Sequence, residues 1–133
     1  SMNSYRSTKT TVSFINYHFV FCPRYRRKLF QRQDVEEKFK SLVKDICSSL
    51  DIEVMAIECD KDHTHLFLNV LPNRSPADVM AKIKGITSRK LREEFSHLQH
   101  LPSLWTRSYF VSTAGHVSSE TIKRYVEQQK TRG

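Results

Sequence analysis

Two histidines, His63 and His65, stand one residue apart in the run "ECDKDHTHLFLNV", which otherwise has the pattern of a buried strand. Residues i and i+2 of a strand leave the same face, so the two imidazoles should lie roughly 7 Å apart. Neutral, they can converge on one divalent metal ion; charged, they can converge on one phosphate. The plainer alternative is a pair of part-buried histidines hydrogen-bonded to neighbours, which requires two sets of partners. Thr64 points to the opposite, packing face, and Leu66, Phe67 and Leu68 read as core. Asp62 is either an ordinary turn residue or a carboxylate that accepts an imidazole N–H and orients the ring.

Two imidazoles rarely hold a metal alone, and the last helical pattern, "SSETIKRYVEQQK", offers further candidates. Ile122, Tyr125, Val126 and Gln129 recur at i, i+3, i+4 and i+7 and so share one helix face. Ile122 and Val126 are explained by packing. Gln129 either meets water near a fraying end or gives its amide oxygen to a metal. Tyr125 is either a core aromatic or a nucleophile. A phenol is weak at neutral pH, but it can attack a phosphodiester when a metal polarises the phosphate and assists the leaving 3′-oxygen.

Basic residues fall in two clusters. "PRYRRK" gathers Arg24, Arg26, Arg27 and Lys28 around Tyr25, and "KIKGITSRKLR" places Lys82, Lys84, Arg89, Lys90 and Arg92 on one helix. Arginine interleaved with an aromatic suits single-stranded or hairpin nucleic acid, with contacts to phosphates and stacking on bases. Each cluster can also be simply a solvated face. The chain as a whole carries +8, from 22 Lys+Arg against 14 Asp+Glu. An excess of that size in a small domain favours an anionic partner, nucleic acid being the simplest.

The elements that must position these groups follow from periodicity. At 133 residues the chain fits a single domain over its whole length, with Ser1 before Met2 read as an added residue. "TVSFINYHFVFC" alternates as a strand, placing Tyr17, Phe19 and Phe21 on one face and Asn16, His18 and Val20 on the other. Asp34 suits the N-cap of a helix over 34–50 whose stripe is Val35, Phe39, Leu42, Val43, Ile46 and Leu50. "IEVMAIEC" and "HTHLFLNVL" form a hairpin across "DKD". Ser75 caps, and Pro76 opens, a helix running to about Phe95. "LWTRSYFVSTA" predicts a fourth strand, and Ser118 or Ser119 caps the last helix. The order β-α-β-β-α-β is the α+β, ferredoxin-like arrangement: an antiparallel sheet with helices on one face, here with a C-terminal helix carrying Tyr125. Cys22, Cys47 and Cys59 share no metal-ligand spacing and read as buried free thiols in a reducing cytoplasm. No apolar run approaches the ~18 residues of a membrane span, and the polar N-terminus lacks a signal-peptide pattern.

With these residues in order, the chain resembles the single-tyrosine HUH transposases of small insertion sequences that move as single-stranded DNA (TnpA-like). The resemblance runs from "NYHFVFCPRYRRKLF" through "DKDHTHLFLNV" and "KGITSRKLREEF" to "LWTRSYFVSTAGHVSSETIKRYVEQQ". It implies that His63 and His65 are the metal-binding pair, that Gln129 is a third ligand of Mg²⁺ or Mn²⁺, and that Tyr125 forms a 5′-phosphotyrosine link. It also implies metal-dependent cleavage and rejoining of hairpin-bearing DNA by a homodimer whose tyrosine helices complete each other's sites. The two basic clusters match regions with which the family holds DNA hairpins. Thr64 stands where the family's middle position is hydrophobic, and its β-branch suits a strand.

Two rivals make different demands. A domesticated relative that processes repeated palindromic DNA would keep the same chemistry. A non-catalytic ferredoxin-like nucleic-acid-binding module would demand nothing of Tyr125 or Gln129. A histidine-based nucleotide hydrolase is excluded, because one His-Thr-His completes neither of the motif sets that chemistry uses.

Overall fold

The computed structural model describes residues 14–113. Strand β1 spans Ile15–Phe21, helix α1 Gln33–Ser49, β2 Glu53–Asp60, β3 His63–Val70, α2 Pro76–Glu94 and β4 Phe110–Thr113. The strands form one antiparallel sheet in the order β2-β3-β1-β4, so the expected ferredoxin-like arrangement is met. The expected last helix, with Tyr125 and Gln129, lies outside the described residues. Among the described helices, none is long and apolar enough to cross a membrane.

The alternation of β1 sorts its side chains as the pattern requires. Phe19 and Phe21 join Leu66 and Leu68 of β3 in the core with both helices, while His18 lies on the other face. Thr64 is fully buried on the packing side, 3.7 Å from the Cys59 thiol. Phe67, expected in that same core, is buried on the opposite face instead, where its ring stacks on His18 at 4.2 Å. A register shift between Val54 and Ala56 in the β2–β3 ladder puts Ile57 and Cys59 in the core. It therefore leaves Glu58 opposite His65 and Asp60 opposite His63 on the outer face.

Helix α1 buries Val35, Phe39, Leu42, Val43, Ile46 and Cys47, the stripe foreseen except for Leu50, which is half-buried at the C-cap. Asp51 turns the chain into β2 at φ 56°, a left-handed conformation that Asp tolerates better than bulky residues. The start of α1 differs from expectation. Arg32 occupies the N-cap, and Asp34 lies in the first turn. There Asp34 accepts the Val35 amide at 2.9 Å, while Arg32 grips both its oxygens at 3.1 and 2.7 Å. Helix α2 starts as expected: Ser75 Oγ accepts the Asp78 amide at 3.0 Å and Pro76 fills the first helical position.

The fourth strand is much shorter than the alternation of 104–114 suggested. Trp105 makes only an isolated bridge with Pro23, and regular pairing resumes at Phe110 opposite Val20. The cause is packing. Trp105 is buried edge-on to Phe21 at 5.0 Å, and its indole N–H donates to Thr87 Oγ1 at 3.0 Å. Residues beyond it loop out, and the Lys84 ammonium collects the carbonyls of Thr106, Arg107 and Ser108 at 2.5, 3.1 and 3.5 Å.

Of the three cysteines expected to be buried, Cys47 and Cys59 are; Cys22 is only half-buried. Burial pushes both buried thiols up to about 12. Since the thiolate is the reactive form, Ellman's reagent at mildly alkaline pH should label Cys22 in the native chain and all three after denaturation. Rapid native labelling of Cys47 or Cys59, read by mass spectrometry of the peptides, would contradict this packing.

Candidate active site

β3 is an inner strand, so His63 and His65 emerge near the middle of the sheet on the face away from the helices. Each ring is held by a different kind of partner. The Asp62 carboxylate, in the tight turn before β3, lies 2.7 Å from His63 Nδ1. That contact fixes the proton on Nδ1 and leaves the Nε2 lone pair directed at the Arg26 guanidinium, whose Nη2 lies 3.3 Å away. Asp62 is thus both turn residue and orienter. Burial pushes its carboxyl up, but the hydrogen bond from His63 and the charge of Arg26 outweigh it, so the net shift is down.

His65 is more enclosed. Its Nδ1 lies 3.1 Å from Nε2 of His18, and its Nε2 lies 3.9 Å from an Asp60 carboxylate oxygen. Burial lowers the His65 pKa even against the upward pull of Asp60. Burial, and then His65, lower His18 to about 4. Both rings are therefore neutral near neutral pH, the form that can donate a lone pair to a cation.

The basic loop reaches this site. Tyr25 and Arg26 adopt φ values of 60° and 52°, left-handed backbone that is strained for such side chains. The loop is pinned by the Phe30 amide donating to the Lys61 carbonyl at 3.1 Å. The outcome is that Arg26 Nη2 sits 3.3 Å from His63 Nε2, and Arg26 Nε sits 3.4 Å from Asp62. Tyr25 stands 81% exposed, with the guanidiniums of Arg24 and Arg27 at 5.8 and 5.9 Å from its ring centre. An exposed aromatic flanked by cations, beside a pair of imidazoles, suits a nucleotide chain passing over the site. Lys28 is exposed on the same loop.

The second basic cluster divides. Lys84 is committed to the 106–108 carbonyls, and Arg92 donates to the carbonyls of Ser88, Leu101 and Pro102. Lys82 and Arg89 pair with Asp78 and Glu93 along the helix, and Lys90 is exposed. The sheet separates α2 from the imidazoles, so these residues and Tyr25 do not form one continuous patch at the histidines.

The donor set suits a divalent cation: two imidazoles on one face, His65 kept neutral by burial and His63 oriented by a carboxylate. Among the described residues, no third His, Cys, Asp or Glu completes a metal-holding group. Gln129, the third ligand suggested by the sequence, lies outside them, as does Tyr125. Sequence reasoning passed over His18 as a site residue and treated Arg26 only as part of a basic cluster. A third histidine on the outer face of a neighbouring strand was the available signal for His18. Nothing local marked Arg26, which reaches His63 through its backbone conformation.

A ferredoxin-like sheet bearing a His-x-His pair on its open face is the arrangement expected of an HUH-type transposase. The chain belongs to the IS200-like transposase family, whose model matches residues 11–129. It is an HUH-type transposase. It is 31% identical over 116 residues to the transposase for insertion sequence element IS200 of Salmonella typhimurium, covering 85% of this chain and 75% of that protein. It is 27% identical over 118 residues to the ISDra2 transposase TnpA of Deinococcus radiodurans, covering 86% and 84%. A solved Deinococcus radiodurans chain described as a transposase superposes with a TM-score of 0.73 at 27% identity, covering 91% of this chain and 95% of that one. A REP-associated tyrosine transposase, solved bound to a REP hairpin, shares the fold with a TM-score of 0.61 at 12% identity, covering 89% and 66%.

Proposed function

We propose that this transposase cuts and rejoins hairpin-bearing single-stranded DNA by phosphoryl transfer through Tyr125. The observation that carries the reading is the pair of imidazoles that His63 and His65 present on one face of β3, in a chain of the IS200-like family. With Gln129 they would hold Mg²⁺ or Mn²⁺, which when bound withdraws charge from the scissile phosphate and favours departure of the 3′-oxygen. Tyr125 Oη attacks phosphorus and gives up its proton to solvent, the bond to the 3′-oxygen breaks, and the leaving oxygen takes a proton from solvent to become a free 3′-hydroxyl. The 5′-phosphotyrosine conserves the bond energy, so attack by another 3′-hydroxyl rejoins DNA and returns the phenol. Arg26 would steady the phosphate beside His63, and Tyr25 would stack a base between Arg24 and Arg27. Lys28, Lys82, Arg89 and Lys90 would add contacts to the phosphate backbone, with Lys84 and Arg92 acting mainly by fixing the loop. The protein would work as a homodimer in which the tyrosine helix of one subunit completes the histidine site of the other.

Incubation with labelled hairpin-bearing single strands and Mn²⁺ should give a covalent adduct on a denaturing gel. Tyr125→Phe should give none, because it removes the phenol that the mechanism assigns as nucleophile. No adduct from wild type, or an undiminished adduct from the variant, would overturn the mechanism.

A further inference from the structure

His18 lies on β1, diagonal to His65 across the ladder, since β1 pairs Val20 with His65 and His18 with Phe67. Its ring is fixed on two sides. It stacks within 6° of parallel on Phe67 at 4.2 Å and meets the Phe110 ring edge-on at 6.2 Å. Only 7% of the residue is exposed. Its Nε2 lies 3.1 Å from His65 Nδ1, a hydrogen bond that needs an N–H on one ring and a lone pair on the other.

We infer that His18 is a positioning residue that accepts the His65 Nδ1–H and thereby holds His65 with its Nε2 lone pair presented to a cation. This rests on the reading of His63 and His65 as a metal-binding pair. The stack on Phe67 fixes the His18 ring plane, which lies 19° from that of His65. His65 Nε2 is the nitrogen on the side of Asp60, away from His18. Were the proton on Nε2 instead, it would occupy the only nitrogen not already engaged by His18. The two ligand rings are thus oriented by different acceptors, a carboxylate for His63 and a neutral imidazole for His65. The imidazole partner adds no negative charge of its own, so the carboxylate nearest His65 Nε2 is that of Asp60, at 3.9 Å.

Two measurements test this. The first is the nitrogen-15 imidazole spectrum of the metal-free wild-type protein, in which His65 should show the Nδ1–H tautomer. The second is Mn²⁺ binding, read by electron paramagnetic resonance, for wild type, His18→Phe and His18→Gln. Phenylalanine keeps the stack on Phe67 and removes the acceptor, so affinity should fall about 10–100-fold. Glutamine restores an acceptor and should recover most of the loss, which a merely structural role would not predict. His65 found with its proton on Nε2, or His18→Phe binding Mn²⁺ as tightly as wild type, would overturn the inference. Failure of wild type to bind Mn²⁺ would sink the metal reading instead, and the tautomer would still decide the role of His18. Should His18→Phe fail to fold, the wild-type spectrum and the glutamine variant decide the same question.

Discussion

His63→Ala is expected to abolish strand cleavage while hardly changing stability, which makes it the cleanest single test of the imidazole pair. The His63 side chain is one-third exposed and touches only Asp62 and Arg26 among the polar groups described. Those two remain 3.4 Å apart and can satisfy each other when the ring is gone. The stability cost should therefore stay within about 0.5 kcal/mol, the usual range for a surface change. Activity is another matter. A cation at a phosphate contributes several kcal/mol of transition-state stabilisation, and about 4 kcal/mol corresponds to about a thousandfold in rate. Single-turnover cleavage of a labelled oligonucleotide, set beside a urea denaturation curve, reads both quantities. Activity retained within tenfold would show that His63 does not hold a cation the reaction needs. His65→Ala is the poorer probe, because it also removes the partner of buried His18 and so mixes a stability loss with the chemical one.

How far the sequence disclosed the fold depended on whether side-chain pattern and backbone pairing agreed. For β1, the His63–Val70 strand apart from Phe67, and α2 they did. Alternation on β1 sorted Phe19 and Phe21 from His18, and Ser75 with Pro76 marked the start of α2. They disagreed at 104–109, where alternating aromatic residues look like a strand. Trp105 satisfies that pattern by burying its ring among Phe21, Phe30 and Phe39, whatever the backbone does. Lys84 then takes carbonyls that a strand partner would otherwise take. No local rule counts an ammonium from a helix in place of a neighbouring strand. Asp34 departs from expectation for a similar reason: its carboxylate does take an amide of the first turn, but from inside the helix, with Arg32 holding it there.

The site was legible where strand periodicity alone decides geometry. Spacing at i and i+2 put His63 and His65 on one face, and the adjacent Asp62 supplied an orienter. Contacts between elements were not legible. His18 reaches His65 only because β1 and β3 pair in one particular register. Shifting β1 by one residue would turn its imidazole into the core. Arg26 reaches His63 only through two consecutive left-handed residues, a conformation that "PRYRRK" gives no reason to expect, since it contains no Gly or Asn. The bulge near Met55 was equally hidden, yet it sets which acidic residues of β2 face the histidines.

Phe39→Ala should be the most destabilising single change in the described domain, at about 3–5 kcal/mol. The side chain is fully buried, and its ring centre lies 6.2 Å from Phe21, 5.2 Å from Phe30 and 5.4 Å from Trp105. Aromatic pairs of this tilted or edge-on kind contribute beyond the area they bury, and truncation removes three at once. Collapse of the cavity is hindered because its walls are tethered. Trp105 is held by Thr87 and by the bridge to Pro23, and Phe30 by the hydrogen bond its backbone amide donates to the Lys61 carbonyl. Domains of this size have about 5–15 kcal/mol in all, so the variant should unfold at much lower urea with an unchanged m value. Phe39→Leu refills part of the space and should cost distinctly less. Because Phe39 and Trp105 share walls of one cavity, Phe39→Ala combined with Trp105→Phe should cost less than the sum of the two singles. A loss below about 1 kcal/mol for Phe39→Ala would mean that the site can collapse after all, contradicting the tethered packing. The consequence reaches function: Phe30 ends the loop that carries Arg26 to His63, so a softened aromatic cluster should loosen that arginine before the sheet itself gives way.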